Sequence, residues 1–99
     1  MNNMTDKLIS MGGKFWEKGD MKRVYLNEWL DLAGVEISRY KTGNIKSAYF
    51  NGAKISNSKA SELGSVKVFW DCNAEKLMVS GQARALDDVL PGLKSAIGI

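Results

Sequence analysis

The residues best equipped for chemistry in this chain are cations. Arg39, Lys41, Lys46, Lys54 and Lys59 fall between Ile37 and Ser61, a stretch that contains no acid. The whole chain carries +3, and outside this stretch nine cations stand against eleven acids, so the positive character is local. A local excess of this kind is the electrostatic footprint of an anion-binding surface. Thr42, Asn44, Ser47, Asn51, Ser56, Asn57 and Ser58 lie in the same stretch. Their hydroxyl and amide groups can hydrogen-bond phosphate oxygens beside Lys and Arg. Asn57 and Ser58 also stand where a helix is expected to begin, and free N–H groups at a helix start attract anions. Turns and caps use the same residue types, and lysines on a hairpin also guard a sheet edge. The missing acids are what sets the stretch apart.

Other chemistries lack their side chains. The chain has no histidine, which removes the usual general base and every Ser-His or Cys-His nucleophile. One cysteine, Cys72, excludes an internal disulfide and a cysteine-rich zinc site. Asp71 beside it does not favour a thiolate. Gly12-Gly13-Lys14 lacks the upstream glycine and the following Ser or Thr of a phosphate-binding loop. Acid–base work by two carboxylates remains open in principle, but the eleven acids are scattered, and Asp87 and Asp88 point apart on an expected helix. The expectation is a protein that is not an enzyme and needs no metal or cofactor. With no apolar run long enough for a bilayer and no signal-like N-terminus, the cytoplasm is the expected compartment.

The elements that position these residues follow one plan, two short strands and then a helix, seen three times. Lys14–Lys18 and Lys22–Leu26 flank Gly19-Asp20, and Asn27 is the expected N-cap for 28–33 with Gly34 as the stop. Ile45–Phe50 and Ala53–Ser56 flank Asn51-Gly52, the strongest short hairpin signal, because both turn residues tolerate positive φ. Asn57 or Ser58 is the expected cap of a helix ending at Leu63. Val66–Trp70 and Lys76–Ser80 flank a longer loop, and a helix from about Gln82 carries Leu86, Val89, Leu90, Leu93 and Ile97 on one stripe. Pro91 predicts a break or kink at Leu90, with Pro91 opening a last short turn. Val35–Tyr40 can add a further strand, and residues 1–12 form a tail or a short helix. The pattern predicts a single α+β domain over 13–99, with an antiparallel sheet of about five or six strands and short helices on one face.

Strand alternation then selects the exposed side. With Val24 and Leu26 turned to the core, Arg23 and Tyr25 face outward; with Val66, Val68 and Trp70 inward, Lys67 and Phe69 face outward. In the middle hairpin Ile55 inside sends Lys54 out, and Lys46 joins it if Tyr49 packs inward and Phe50 points out. Cations interleaved with aromatic rings suit single-stranded nucleic acid, since bases stack on rings while cations follow phosphates. The expected contact residues are therefore Arg23, Tyr25, Arg39, Lys41, Lys46, Phe50, Lys54, Asn57, Ser58, Lys59, Lys67 and Phe69. The alternative is a protein partner. A small interaction or inhibitor protein, of the accessory kind encoded by phages and mobile elements, would meet its target through the sheet face or an edge strand. Tyr, Trp, Phe, Met and Arg are enriched at such interfaces, and Trp16, Trp29 and five methionines fit that reading.

Overall fold

A computed structural model describes residues 3–99, and they form an α+β fold with antiparallel sheets. The elements in chain order are α1 (Asn3–Ser10), β1 (Lys14–Lys18), β2 (Met21–Tyr25), α2 (Trp29–Leu32), β3 (Val35–Arg39), β4 (Ile45–Phe50), β5 (Ala53–Ile55), α3 (Asn57–Gly64), β6 (Lys67–Asp71), β7 (Lys76–Ser80) and α4 (Leu86–Ile97). The seven strands divide between a four-stranded sheet, β1-β2-β6-β7, and a three-stranded sheet, β3-β4-β5. Each sheet belongs to its own compact unit. The first comprises 1–28 and 67–80, the second 29–66 and 81–99. The hairpin signals specify β1-β2, β4-β5 and β6-β7, all of which form. The pairing of β2 with β6 joins residues more than forty positions apart and has no local signal.

In the first unit one face of the sheet is covered at its central strands, with Phe15 on the edge strand left exposed. Phe15, Val24, Trp70 and Leu77 lie opposite one another across its four strands. Val24, Val68 and Trp70 are buried there. Helix α1 lies against this face through Leu8, which has no exposed surface. Gly13 makes that approach possible: a Cβ there would sit 2.5 Å from Val24 Cγ1 and 2.7 Å from the Leu8 carbonyl oxygen. Asn73 Nδ2 donates to the Asp20 carbonyl at 2.6 Å, and the Cys72 N–H donates to the Lys22 carbonyl at 3.0 Å, tying the two hairpins at one end.

In the second unit Asn51 (φ 53°) and Gly52 (φ 78°) make the tight β4-β5 turn with both residues in the left-handed region, as the Asn-Gly pair predicts. Ile37, Ala48 and Ile55 pair across the sheet, and Ala48 is buried. Helix α4 meets α2 at Gly92, where a Cβ would stand 2.5 Å from the Ala33 carbonyl oxygen. Trp29 Nε1 donates to the Val66 carbonyl at 3.1 Å.

Three expectations about helices change. Helix α2 is a single turn from Trp29, because burial of Trp29 and Leu30 fixes it rather than a cap at Asn27. Helix α3 already includes Asn57 and Ser58, with Ser56 before it and no side-chain cap. Helix α4 begins at Leu86 and runs through Pro91 unbroken. The chain enters it through a turn in which the Leu86 N–H donates to the Ala83 carbonyl at 3.1 Å, while the Arg84 N–H donates to Glu62 Oε1 at 2.9 Å. The helix survives Pro91 because Val89, Leu93 and Ile97 are buried on both sides of it. The carbonyl that proline leaves without a helical partner belongs to Asp87, an exposed residue.

Candidate functional site

The register of the four-stranded sheet places a defined set of side chains on the face opposite Val24. One row is Lys14, Tyr25, Phe69 and Met78; the next is Trp16, Arg23, Asp71 and Lys76. Lys18 faces Met21 beyond the second row, and Lys67 faces Ser80 before the first. Side chains alternate along each strand, so all of these share one face. The face holds five cations and a single acid, Asp71. That acid is engaged locally: its Oδ1 accepts the N–H groups of Asn73 at 3.0 Å and Ala74 at 3.1 Å.

At the centre four side chains touch one another. The Arg23 guanidinium lies 4.5 Å from the Phe69 ring centroid and 5.3 Å from the Trp16 centroid. Arg23 Nη1 donates to the Tyr25 hydroxyl at 3.1 Å. Tyr25 meets Trp16 edge-on, centroids 6.2 Å apart, and meets Phe69 at 5.3 Å with a 42° tilt. All four are half-buried, while Met21 and Met78 at the border are exposed. A planar cation over aromatic faces is held by the ring quadrupole, and the hydroxyl contact fixes its orientation. The cluster is an aromatic surface of rings set at angles to one another, with the guanidinium over two of them and lysines around it.

Of the residues expected from sequence, Arg23, Tyr25, Lys67 and Phe69 are brought together on this face. The others lie in the second unit, and they do not gather into one acid-free patch. Glu36 lies across from Tyr49, and Tyr49 across from Lys54, in one row whose three side chains are all exposed. Tyr49 therefore takes the outward position and Phe50 the inward one, the reverse of the expected arrangement. Phe50 is half-buried, its ring 3.6 Å from where a Cβ on Gly92 would stand. Lys46 and Lys59 are exposed, and Lys41 is exposed in the turn between β3 and β4. Arg39 Nη1 donates to the Gly43 carbonyl at 2.9 Å, and Arg39, Asn44, Ser61 and Ser65 line a cleft of about 300 Å³.

Asn57 and Ser58 begin α3, and the Ser58 hydroxyl accepts from Arg84 Nη2 at 3.2 Å. Arg84 in turn pairs with Glu62 at 2.7 Å, and its Nε donates to both carboxylate oxygens. The hydrogen bonds from Arg84, more than its charge, hold the Glu62 carboxyl below the usual glutamate range; Lys59 lowers it slightly further. The acid-free stretch of the linear sequence is thus bordered in space by Glu36 on one side and Glu62 on the other.

Sequence reasoning passed over Lys14, Trp16, Lys18 and Lys76 as members of this face. Lys14-x-Trp16-x-Lys18 is itself an alternating pattern, and reading β1 like β2 reveals it. Met78 emerges only from the β6-β7 register. Among the described residues no group of three or more Cys, Asp or Glu side chains is placed to hold a metal ion. No helix among the described residues is long and apolar enough to cross a membrane. No family model matches the chain, and no curated protein or solved structure is similar to it.

Proposed function

We propose that this protein is a non-enzymatic nucleic-acid-binding module, acting in a reducing compartment such as the cytoplasm, that uses the open face of its four-stranded sheet. The observation that supports this most is the composition of that face: Trp16, Tyr25 and Phe69 in one cluster, with Lys14, Lys18, Arg23, Lys67 and Lys76 on the same side and one acid already engaged. Aromatic rings take the π-faces of unpaired bases without regard to sequence, and cations spaced around them follow the phosphates. The exposed cations of the second unit, Lys41, Lys46, Lys54 and Lys59, add a longer-range positive field that speeds encounter with a polyanion.

The test is binding of a labelled oligonucleotide of about twelve nucleotides, a length within the range one such site covers, followed by fluorescence anisotropy across a salt series. Affinity is expected to fall steeply with salt, and Lys14→Glu with Lys67→Glu is expected to weaken binding by roughly tenfold or more. No anisotropy change at low salt overturns the proposal.

A protein partner is the second reading, favoured by the exposed Met21 and Met78 bordering the cluster, since methionine and aromatic residues are enriched at protein interfaces. That reading requires binding that survives moderate salt and is lost on truncating Tyr25 or Phe69.

A further inference from the structure

We infer that Arg23 is a placeholder on the aromatic platform, covering the rings in the free protein and moving to a phosphate when a single strand binds. The inference rests on the nucleic-acid reading above and deepens it by naming the substrate as unpaired strand and the group that must yield to it. Two distances carry it. The guanidinium lies 4.5 Å from the Phe69 centroid and 5.3 Å from the Trp16 centroid, so one planar group occupies the space over both rings. A base cannot stack on either ring at that place while the guanidinium remains.

The guanidinium is held there by neutral partners. Its partners are two ring faces, one neutral hydroxyl at 3.1 Å and the Met21 sulfur at 4.0 Å; no carboxylate among the described residues pairs with it. Asp71, directly across from Arg23 in the β2-β6 register, turns its Oδ1 to the N–H groups of Asn73 and Ala74 instead. A cation held by rings and a hydroxyl gains by exchanging them for a phosphate, because a charge-assisted bidentate pair is the stronger bond. The rings it leaves gain a base, and base–aromatic stacking is favourable for every base. Both halves of the exchange need an unpaired strand. In a duplex the bases keep their faces against one another, so none is free to take the rings.

Salt dependence separates this exchange from a fixed Arg23. Each phosphate contact to a single strand adds about 0.7 to the slope of log affinity against log salt. Arg23→Gln is expected to make that slope shallower by about 0.7. Binding should still quench tryptophan fluorescence, because Trp29 and Trp70 are buried and Trp16 is the one on the face. Arg23→Lys restores the slope, since lysine still reaches phosphate. A duplex of equal length is expected to bind without quenching. An unchanged slope in Arg23→Gln overturns the placeholder role while leaving the binding reading intact. Equal quenching by duplex also overturns it. Failure of the wild-type protein to bind any oligonucleotide overturns both.

Discussion

Phe69 touches two of the three other members of the cluster, the Arg23 guanidinium and the Tyr25 ring, yet it is only half-buried. Its neighbours in sequence, Val68 and Trp70, are buried on the opposite side of the strand. Truncation should therefore separate function from stability. Phe69→Ala is expected to cost about 1–3 kcal/mol of oligonucleotide affinity, while chemical denaturation shows a smaller loss of stability than Val68→Ala produces. A loss of folding equal to that of the core variant contradicts this division. The positions of Arg23, Tyr25, Lys67 and Phe69 were legible in the sequence because strand alternation needs only one reliable anchor, and Val24 and Val68 supply it. Phe50 was not legible. Tyr49 and Phe50 are adjacent aromatic residues with equal claims to the core, and the choice between them falls to packing near Gly92, far along the chain, where the Phe50 ring lies.

Glu62 of helix α3 is joined to Arg84, which lies just before helix α4. The Arg84 N–H and guanidinium both donate to the Glu62 carboxylate, and the guanidinium also donates to the Ser58 hydroxyl. The carboxyl is held below its ordinary range by these bonds. A group whose folded-state pKa is depressed contributes stability that is fully present above its unfolded value and lost as pH falls through the folded one. Wild type and Glu62→Gln are expected to differ in thermal stability at neutral pH and to converge in acid below the usual glutamate range. High salt should narrow the difference, as the pair is solvent-exposed. A gap that persists in acid excludes the ionic contribution. Gly92 gives a test of the opposite kind. Alanine in a helix interior is normally favoured over glycine by about 1 kcal/mol. Here its Cβ would meet the Ala33 carbonyl oxygen at 2.5 Å, so Gly92→Ala is expected to destabilise by about 1–3 kcal/mol, the range for overpacking. The hairpins were legible from Gly19-Asp20 and Asn51-Gly52, whose backbone demands are local. The unbroken α4 was not, because proline's local penalty is overridden by burial of Val89, Leu93 and Ile97.

At the scale of the whole molecule, charge counts alone say little. The first unit carries seven cations and six acids, the second seven and five. The asymmetry appears only when residues are sorted by face: five cations and one acid on the open side of the four-stranded sheet. The acid-free stretch from Ile37 to Ser61 drew attention in the linear sequence, yet the strand register places Glu36 two strands from Lys54, and Arg84 holds Glu62 beside Ser58. The four-stranded face was only half legible because it depends on β2 meeting β6 across a whole intervening unit, a pairing that turn signals do not encode. The central claim is that this face, and not the acid-free stretch, receives a single strand. Amide chemical-shift mapping with a short unstructured oligonucleotide tests it directly. The expected perturbations centre on Lys14, Trp16, Arg23, Tyr25, Lys67, Phe69 and Met78, together with the Trp16 indole N–H. Shifts confined to residues between Arg39 and Lys59, or no shifts at low salt, contradict the account.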